Sequence, residues 1–279
     1  MSLKIGITEA GDPAFDYSWV AKMPEMDMAI LITKNVTDKF IEEILKVKNK
    51  VILHATCTGY GGTVLEPNVP QYTVQLEQVK KLISLGFPEN QVVIRIDPII
   101  PTYKGFGNVL KVVSYCKQHL PNVKRFRVSI IDNYNHIQER FKQNKLPVLF
   151  EGKFQASKEE FESADSVLRQ LKNNYGITFE SCAEPLLTET EKVGCVSQKD
   201  LSIFGLKQDT NELKGQRKTC LCIAGKTEML THKRYGFCGK FKLPDSMGGS
   251  CGVGNNCKTC EHHNVYGCPN ACLYCYWKN

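Results

Sequence analysis

Cysteine is nearly missing from the first 181 residues: only Cys57 and Cys116 occur there, out of 13 in a chain of 279. A secreted protein stapled by disulfides would spread its cysteines through the fold, and an odd total cannot be fully paired, so this distribution argues against a disulfide framework. Long apolar runs are also missing; none approaches the roughly 20 residues that cross a bilayer. Nor does the start resemble a secretory leader, since Met1-Ser-Leu-Lys-Ile-Gly-Ile-Thr reads as an immediate strand. These absences lead to the expectation of a cytoplasmic protein without membrane contact. Low-complexity segments and internal repeats are not evident. The apolar share of 42% and charged share of 23% suit a globular protein. The length suits one large α/β domain, or a barrel with an appendage.

The formal net charge is +7. Much of the excess lies on the C-terminal side, at Lys142, Lys145, Lys207, Lys214, Arg217, Lys218, Lys226, Lys233, Arg234, Lys240 and Lys242. An anionic partner, such as a nucleic acid, a nucleotide or a phosphorylated cofactor, is one reading; a solvated surface is the other.

Strand and helix signals alternate through the first two thirds. Strands are expected at Lys4–Glu9, Asp27–Thr33, Val51–Thr56, Gln91–Asp97, Phe126–Ile131 and Ile177–Ser181, the fourth broken by Pro98 and Pro101. Helices are expected after Thr37-Asp38, over Tyr72–Leu85, Asn108–His119 and His136–Asn144, and from Ser157, where Ser157-Lys-Glu-Glu160 makes a capping box. The continuous apolar runs suit parallel strands covered on both faces. This predicts a partial (βα)6 TIM-like barrel over residues 1–184, with a doubly wound open sheet as the second choice. Residues 185–279 lose regular periodicity and read as a Cys-rich region organised by metal ligation. In either architecture, functional groups collect beyond the C-terminal ends of strands. Those ends carry Thr33-Lys34-Asn35, Thr58-Gly59-Tyr60, Arg95-Ile-Asp97-Pro98, Ser129-Ile-Ile-Asp132 and Cys182-Ala-Glu184.

The strongest signal lies almost at the end of the chain. Cys268-Pro-Asn-Ala-Cys272-Leu-Tyr-Cys275-Tyr276 spaces three cysteines as C-x3-C-x2-C, with an aromatic after the third. Three thiolates at that spacing can hold three irons of a [4Fe–4S] cluster and leave the fourth open to a ligand. Four-cysteine patterns instead close the cluster for electron transfer.

Together with Thr58-Gly-Tyr-Gly…Leu65-Glu66-Pro67, Arg95-Ile-Asp-Pro98, Ser181-Cys-Ala-Glu184 and Gln216-Arg-Lys-Thr-Cys-Leu-Cys222, this motif resembles a radical S-adenosylmethionine (SAM)-like family of unknown function. That family carries at its C-terminus the cysteine motif that such enzymes usually carry near the N-terminus. The resemblance implies SAM bound at the open iron and cleaved reductively to start radical modification of a substrate. It implies Cys268, Cys272 and Cys275 as cluster ligands and a reductant or electron-transfer protein as partner. A motif placed last must fold back over the strand ends, as in a circular permutation. By analogy with the usual SAM site, Gly61, Gly62 and Glu66 are candidates for the methionyl amine, against the reading of a simple turn. Asp97 is a candidate for a ribose hydroxyl, against an internal Arg95–Asp97 pair. Ser129 and Asp132 are of the same type, and Tyr103, Tyr134 and Tyr276 are aromatics able to stack on adenine.

Cys182, Cys195, Cys220 and Cys222 recur in the resembling family and are read either as an auxiliary iron–sulfur site or as buried packing residues. Cys238, Cys251, Cys257 and Cys260, with Gly248-Gly249 and Gly252-Val-Gly254 turning between them, form a possible zinc knuckle or further cluster, with His262 and His263 as substitutes. Cys57 and Cys116 read as structural. The rival function is a zinc or iron–sulfur nucleic-acid-binding module without SAM chemistry; an electron-transfer protein is a third.

Overall fold

The computed structural model describes residues 3–8, 11–182, 184–207, 227–229 and 268–275. Its core is one parallel sheet. The strands are β1 (Ile5–Ile7), β2 (Met28–Thr33), β3 (Val51–Thr56), β4 (Val92–Ile99), β5 (Arg125–Ile130), β6 (Thr178–Ser181), β7 (Glu191–Lys192) and β8 (Thr227–Met229), in the spatial order β7-β6-β5-β4-β3-β2-β1-β8. The helices are α1 (Ser18–Lys22), α2 (Asp38–Lys46), α3 (Tyr72–Ser84), α4 (Tyr103–His119), α5 (Asn135–Gln143), α6 (Lys158–Tyr175) and α7 (Gln198–Ile203). From β1 to β7 the spatial order follows the chain without a reversal. Same-handed crossovers then stack the helices on one face, and the sheet curls into a half-barrel instead of the doubly wound alternative. No helix among the described residues is long and apolar enough to cross a membrane.

The six expected strands are present, and two short ones join them from beyond residue 184, β7 against β6 and β8 against β1. With two and three residues, they are too short to show periodicity. β4 continues through Pro98 to Ile99, because a register shift between Ile96 and Ile99 takes up the residue that cannot donate to a ladder. α4 starts at Tyr103, five residues before the expected Asn108, because Thr102 caps it by accepting from the Gly105 amide at 3.1 Å. Gly105 reads as a breaker in sequence, but a Cβ there would lie 1.9 Å from the Ile100 carbonyl oxygen, so the close approach requires glycine.

The outer face of the sheet and the helices form the main core, from Trp19 and Phe40 through Leu76, Val112 and Cys116 to Phe126, Leu168 and Phe179, with Cys57 in the same cluster. The inner face is apolar at its lower level, where Ile5, Ile7, Met28, Ile30, Ile52 and Val93 pack against Val196 and Leu201 of the α7 segment. Toward β4–β6 this face turns charged. Glu180 accepts from Arg125 Nε at 2.8 Å and from Arg127 at 3.1 Å, and Arg125 also reaches Asp200 of α7 at 2.8 Å. Paired guanidiniums thus fasten the α7 segment into the half-barrel, helped by Arg127 donating to the Cys195 carbonyl at 3.0 Å.

Local capping contributes in the ordinary range. Thr37 accepts from the Phe40 amide at 3.1 Å and caps α2. Thr37→Ala is expected to cost about 1 kcal/mol and lower the melting temperature by about 2–4 °C. A calorimetric scan showing no decrease would contradict that cap.

Candidate functional site

The closing cysteine loop lies across the C-terminal ends of the first three strands. Asn270 donates to Asp12, just after β1, at 2.7 Å. The Leu273 amide donates to the Leu65 carbonyl at 3.0 Å, and Asn68 donates to the Pro269 carbonyl at 2.8 Å, both on the loop that follows β3. Arg140 of α5 donates to the carbonyls of Leu273 and Cys275 at 3.0 and 2.9 Å. The return of the tail over the strand ends, which the position of the motif requires, is therefore seen in the geometry.

A buried polar network forms under this loop. Lys34, at the end of β2, donates to Glu66 Oε1 at 2.7 Å and to the Tyr274 hydroxyl at 2.8 Å. Thr58, after β3, donates to Glu66 Oε2 at 2.6 Å, and the Tyr274 hydroxyl donates to Glu66 Oε1. Glu66 is 1% exposed and Tyr274 7%. Burial alone pulls the Lys34 ammonium down, but the Glu66 carboxylate more than reverses this, so Lys34 stays charged. Burial pushes the Tyr274 phenol well up, and the Glu66 charge adds to it, keeping the hydroxyl protonated.

Asp12 completes the support. Its two oxygens accept from the Ala14 amide at 3.0 Å, Thr33 Oγ1 at 2.6 Å, the Lys34 amide at 2.9 Å and Asn270. One carboxylate thereby joins the end of β1, the end of β2 and the turn between Cys268 and Cys272. Burial raises its pKa, and the four donors oppose that rise.

The three thiols sit in a largely apolar setting. Cys272, Tyr274, Leu273 and Cys275 pack with Tyr60, Ile100 and Ile131. Burial pushes the Cys268 and Cys272 thiols up to about 12. Asp12 raises Cys268 further and Glu66 raises Cys272 further, with smaller contributions from the neighbouring cysteines, while Lys34 opposes the rise at each. Thiols this reluctant to ionise alone ionise readily when a cation is present, because a metal takes up the thiolate charge. Among the described residues, no three His, Cys, Asp or Glu side chains gather as a single metal ion requires. A cubane has a different requirement, since each thiolate binds a different iron. Three thiols on one short, half-buried and anchored loop fit that donor set.

The other sequence-derived residues fall into place as follows. Gly61 lies against the Val69–Pro70 backbone, where a Cβ would be 2.0 Å from the Pro70 carbonyl oxygen, and Gly62 adopts φ +76°. Their amides shape the loop that presents Glu66, through the Gly62 amide to the Glu66 carbonyl at 3.0 Å. Arg95 and Asp97 pair on β4 through Nε at 2.7 Å. Ser129 and Asp132 lie half-buried at the end of β5 and just beyond. Cys182 and Cys195 come together, sulfur to sulfur 3.8 Å, at the far side of the sheet. Cys220, Cys222, Cys238, Cys251, Cys257, Cys260, His262, His263 and Tyr276 lie outside the described residues.

Sequence reasoning missed Asp12, Asn270, Tyr274 and Arg140. Asp12 follows the first strand, at the kind of strand end where polar groups were sought, but Gly11-Asp-Pro13 reads as a turn. Tyr274 lies inside the motif, where attention falls on the cysteines. Arg140 belongs to a helix that is polar along most of its length.

Residues 3–227, well over half of the chain, match the family described as a domain of unknown function, DUF1848. That match includes Asp12, Lys34, Thr58 and Glu66 and stops before the closing cysteines. No curated protein matches the chain.

Proposed function

The chain belongs to the DUF1848 family, and from the site described above we propose that it is a radical SAM-type enzyme. Its catalytic [4Fe–4S] cluster would be held by Cys268, Cys272 and Cys275, and the +7 charge favours a nucleic acid or nucleotide as its substrate. The observation that carries this reading is the anchoring of a half-buried C-x3-C-x2-C loop over the C-terminal ends of parallel strands.

When bound, the cluster would supply one electron for cleavage of a C–S bond of the SAM sulfonium, giving methionine and a 5′-deoxyadenosyl radical. The chain's own residues have other tasks. Asp12 and Arg140 hold the two ends of the cysteine loop at fixed positions. The Lys34–Glu66–Tyr274 network closes the floor beneath it and keeps water out, with the phenol proton held on Tyr274. Glu66 is committed to three side-chain donors, so its part is to brace the loop. Asp97, Ser129 and Asp132 remain the candidates for the SAM ribose, and the backbone at Gly61 and Gly62 for its methionyl amine. An external reductant or electron-transfer protein would supply the electron that the cluster passes to SAM. Cys182 and Cys195 supply two thiols for an auxiliary metal site.

Anaerobic reconstitution with iron and sulfide, followed by SAM and dithionite, tests the reading. The expected product is 5′-deoxyadenosine, formed slowly without substrate. A fully loaded chain that leaves SAM intact would instead favour a structural cluster, as in the nucleic-acid-binding alternative.

A further inference from the structure

The inner face of the half-barrel holds polar atoms that the cysteine site does not use. His54 of β3 is fully buried, and neither of its ring nitrogens has a hydrogen-bond partner among the described residues. Arg127, 3% exposed, leaves Nε unpaired, and Arg125 leaves one terminal nitrogen unpaired. The strand registers put these groups close together. Arg95 stands opposite Arg127, Thr56 stands opposite Arg95, and His54 is one inward step below Thr56. Adjacent strands lie about 4.8 Å apart, so Arg95 stands one strand from the imidazole and Arg125 and Arg127 two strands from it, all on the same side.

The count of groups is informative. Two guanidinium nitrogens and the imidazole N–H are donors, while one imidazole nitrogen is the sole acceptor left over. Buried donors without acceptors each cost on the order of a hydrogen bond's desolvation, and native structures rarely tolerate several together. Asp97, Glu180 and Asp200 balance the guanidinium charges pairwise, yet at His54 the arginines dominate. Burial first, and then Arg127, Arg95 and Arg125, hold the imidazole well below its ordinary pKa and therefore neutral. The surplus is thus of donors, which an oxyanion satisfies and an apolar or cationic group does not.

We infer that His54, Arg127 and Arg125 form an oxyanion-binding site on the concave face, beneath the cysteine loop, for a phosphate or carboxylate group. The inference deepens the proposed function by giving the substrate a charge class, and it rests on that reading only in calling the ligand a substrate. Binding itself requires no cluster. The arginines alone would be explained by anchoring α7; the orphaned imidazole beside them is not.

Equilibrium dialysis of the metal-free full-length chain against inorganic phosphate, and separately against acetate, separates the two sources of the oxyanion. One anion per chain should bind saturably and raise the melting temperature. His54→Leu keeps the volume and removes both nitrogens. It should weaken that binding at least tenfold while leaving the anion-free melting temperature equal or higher, since a buried unpaired polar group has gone. Arg127→Lys should also weaken binding, with the charge retained and the fork lost. Absence of saturable binding of either anion to the wild-type chain, or equal binding by His54→Leu, would overturn the site and leave buried water as the partner of these atoms. Loss of SAM cleavage with anion binding intact would count against the proposed function alone.

Discussion

Cys272→Ala is expected to abolish both the iron–sulfur absorbance of the anaerobically reconstituted chain and its cleavage of SAM, to the background of the protein-free reaction. The argument follows from the placement of this thiol. Cys272 is the middle ligand of the motif and is buried among Tyr274, Tyr60 and Ile100. Its thiol, at about 12, stays protonated unless a cation takes up the charge. With two thiols left, a cubane has half the usual protein ligation, and no other cysteine among the described residues lies in this cluster. Cys116→Ala is the matched control. Cys116 is equally buried but sits in the helical core, so it should cost roughly 1 kcal/mol of stability and leave iron content unchanged. Iron determination on both variants checks the contrast, and a Cys272→Ala chain with full iron would remove this thiol from the ligand set.

Glu66→Ala should be the most destabilising single change at the site. It leaves the Lys34 ammonium buried without its carboxylate, and it removes the acceptor of Thr58 and Tyr274. Breaking one side of a buried pair costs about 3–5 kcal/mol, which corresponds to a fall in melting temperature on the order of 10 °C for a chain of this size. The cause is distinguished by a second variant. Lys34→Met combined with Glu66→Leu removes both charges and should recover part of the loss, because an apolar replacement of a buried pair is often neutral. Differential scanning calorimetry compares them; a single variant no worse than the exposed Glu162→Ala would contradict the bracing role of Glu66.

The half-barrel was legible because its six main strands are apolar runs separated by capped helices, as at Thr37 and Ser157. β7 and β8 were not, because they owe their strand geometry to a neighbour in the sheet and not to any pattern of their own. Of the site, the cysteines could be read from spacing, and Lys34, Thr58, Tyr60 and Glu66 from their position at strand ends. Their bond partners could not. Asp12 and Asn270 are separated by 258 residues, and Lys34 and Tyr274 by 240, and no local pattern encodes such pairings. Glu66 shows how this changes a role. Next to Gly61-Gly62 it resembles a ligand-binding carboxylate, but its three side-chain donors make it a brace. The interior arginines were similarly opaque: the strand expected at Phe126–Ile131 leaves out Arg125, and only Glu180 and Asp200 reveal why Arg125 and Arg127 point inward.

The central claim is that the closing loop holds a cluster with one iron open to SAM. Mössbauer spectroscopy of the iron-enriched, anaerobically reconstituted chain, recorded before and after SAM is added, tests it most directly. The account predicts four irons bound through the closing loop, one of which changes its isomer shift when SAM binds, and it predicts loss of that signal in Cys272→Ala. A spectrum that SAM leaves unchanged, or a loop that binds zinc or no metal, would contradict it.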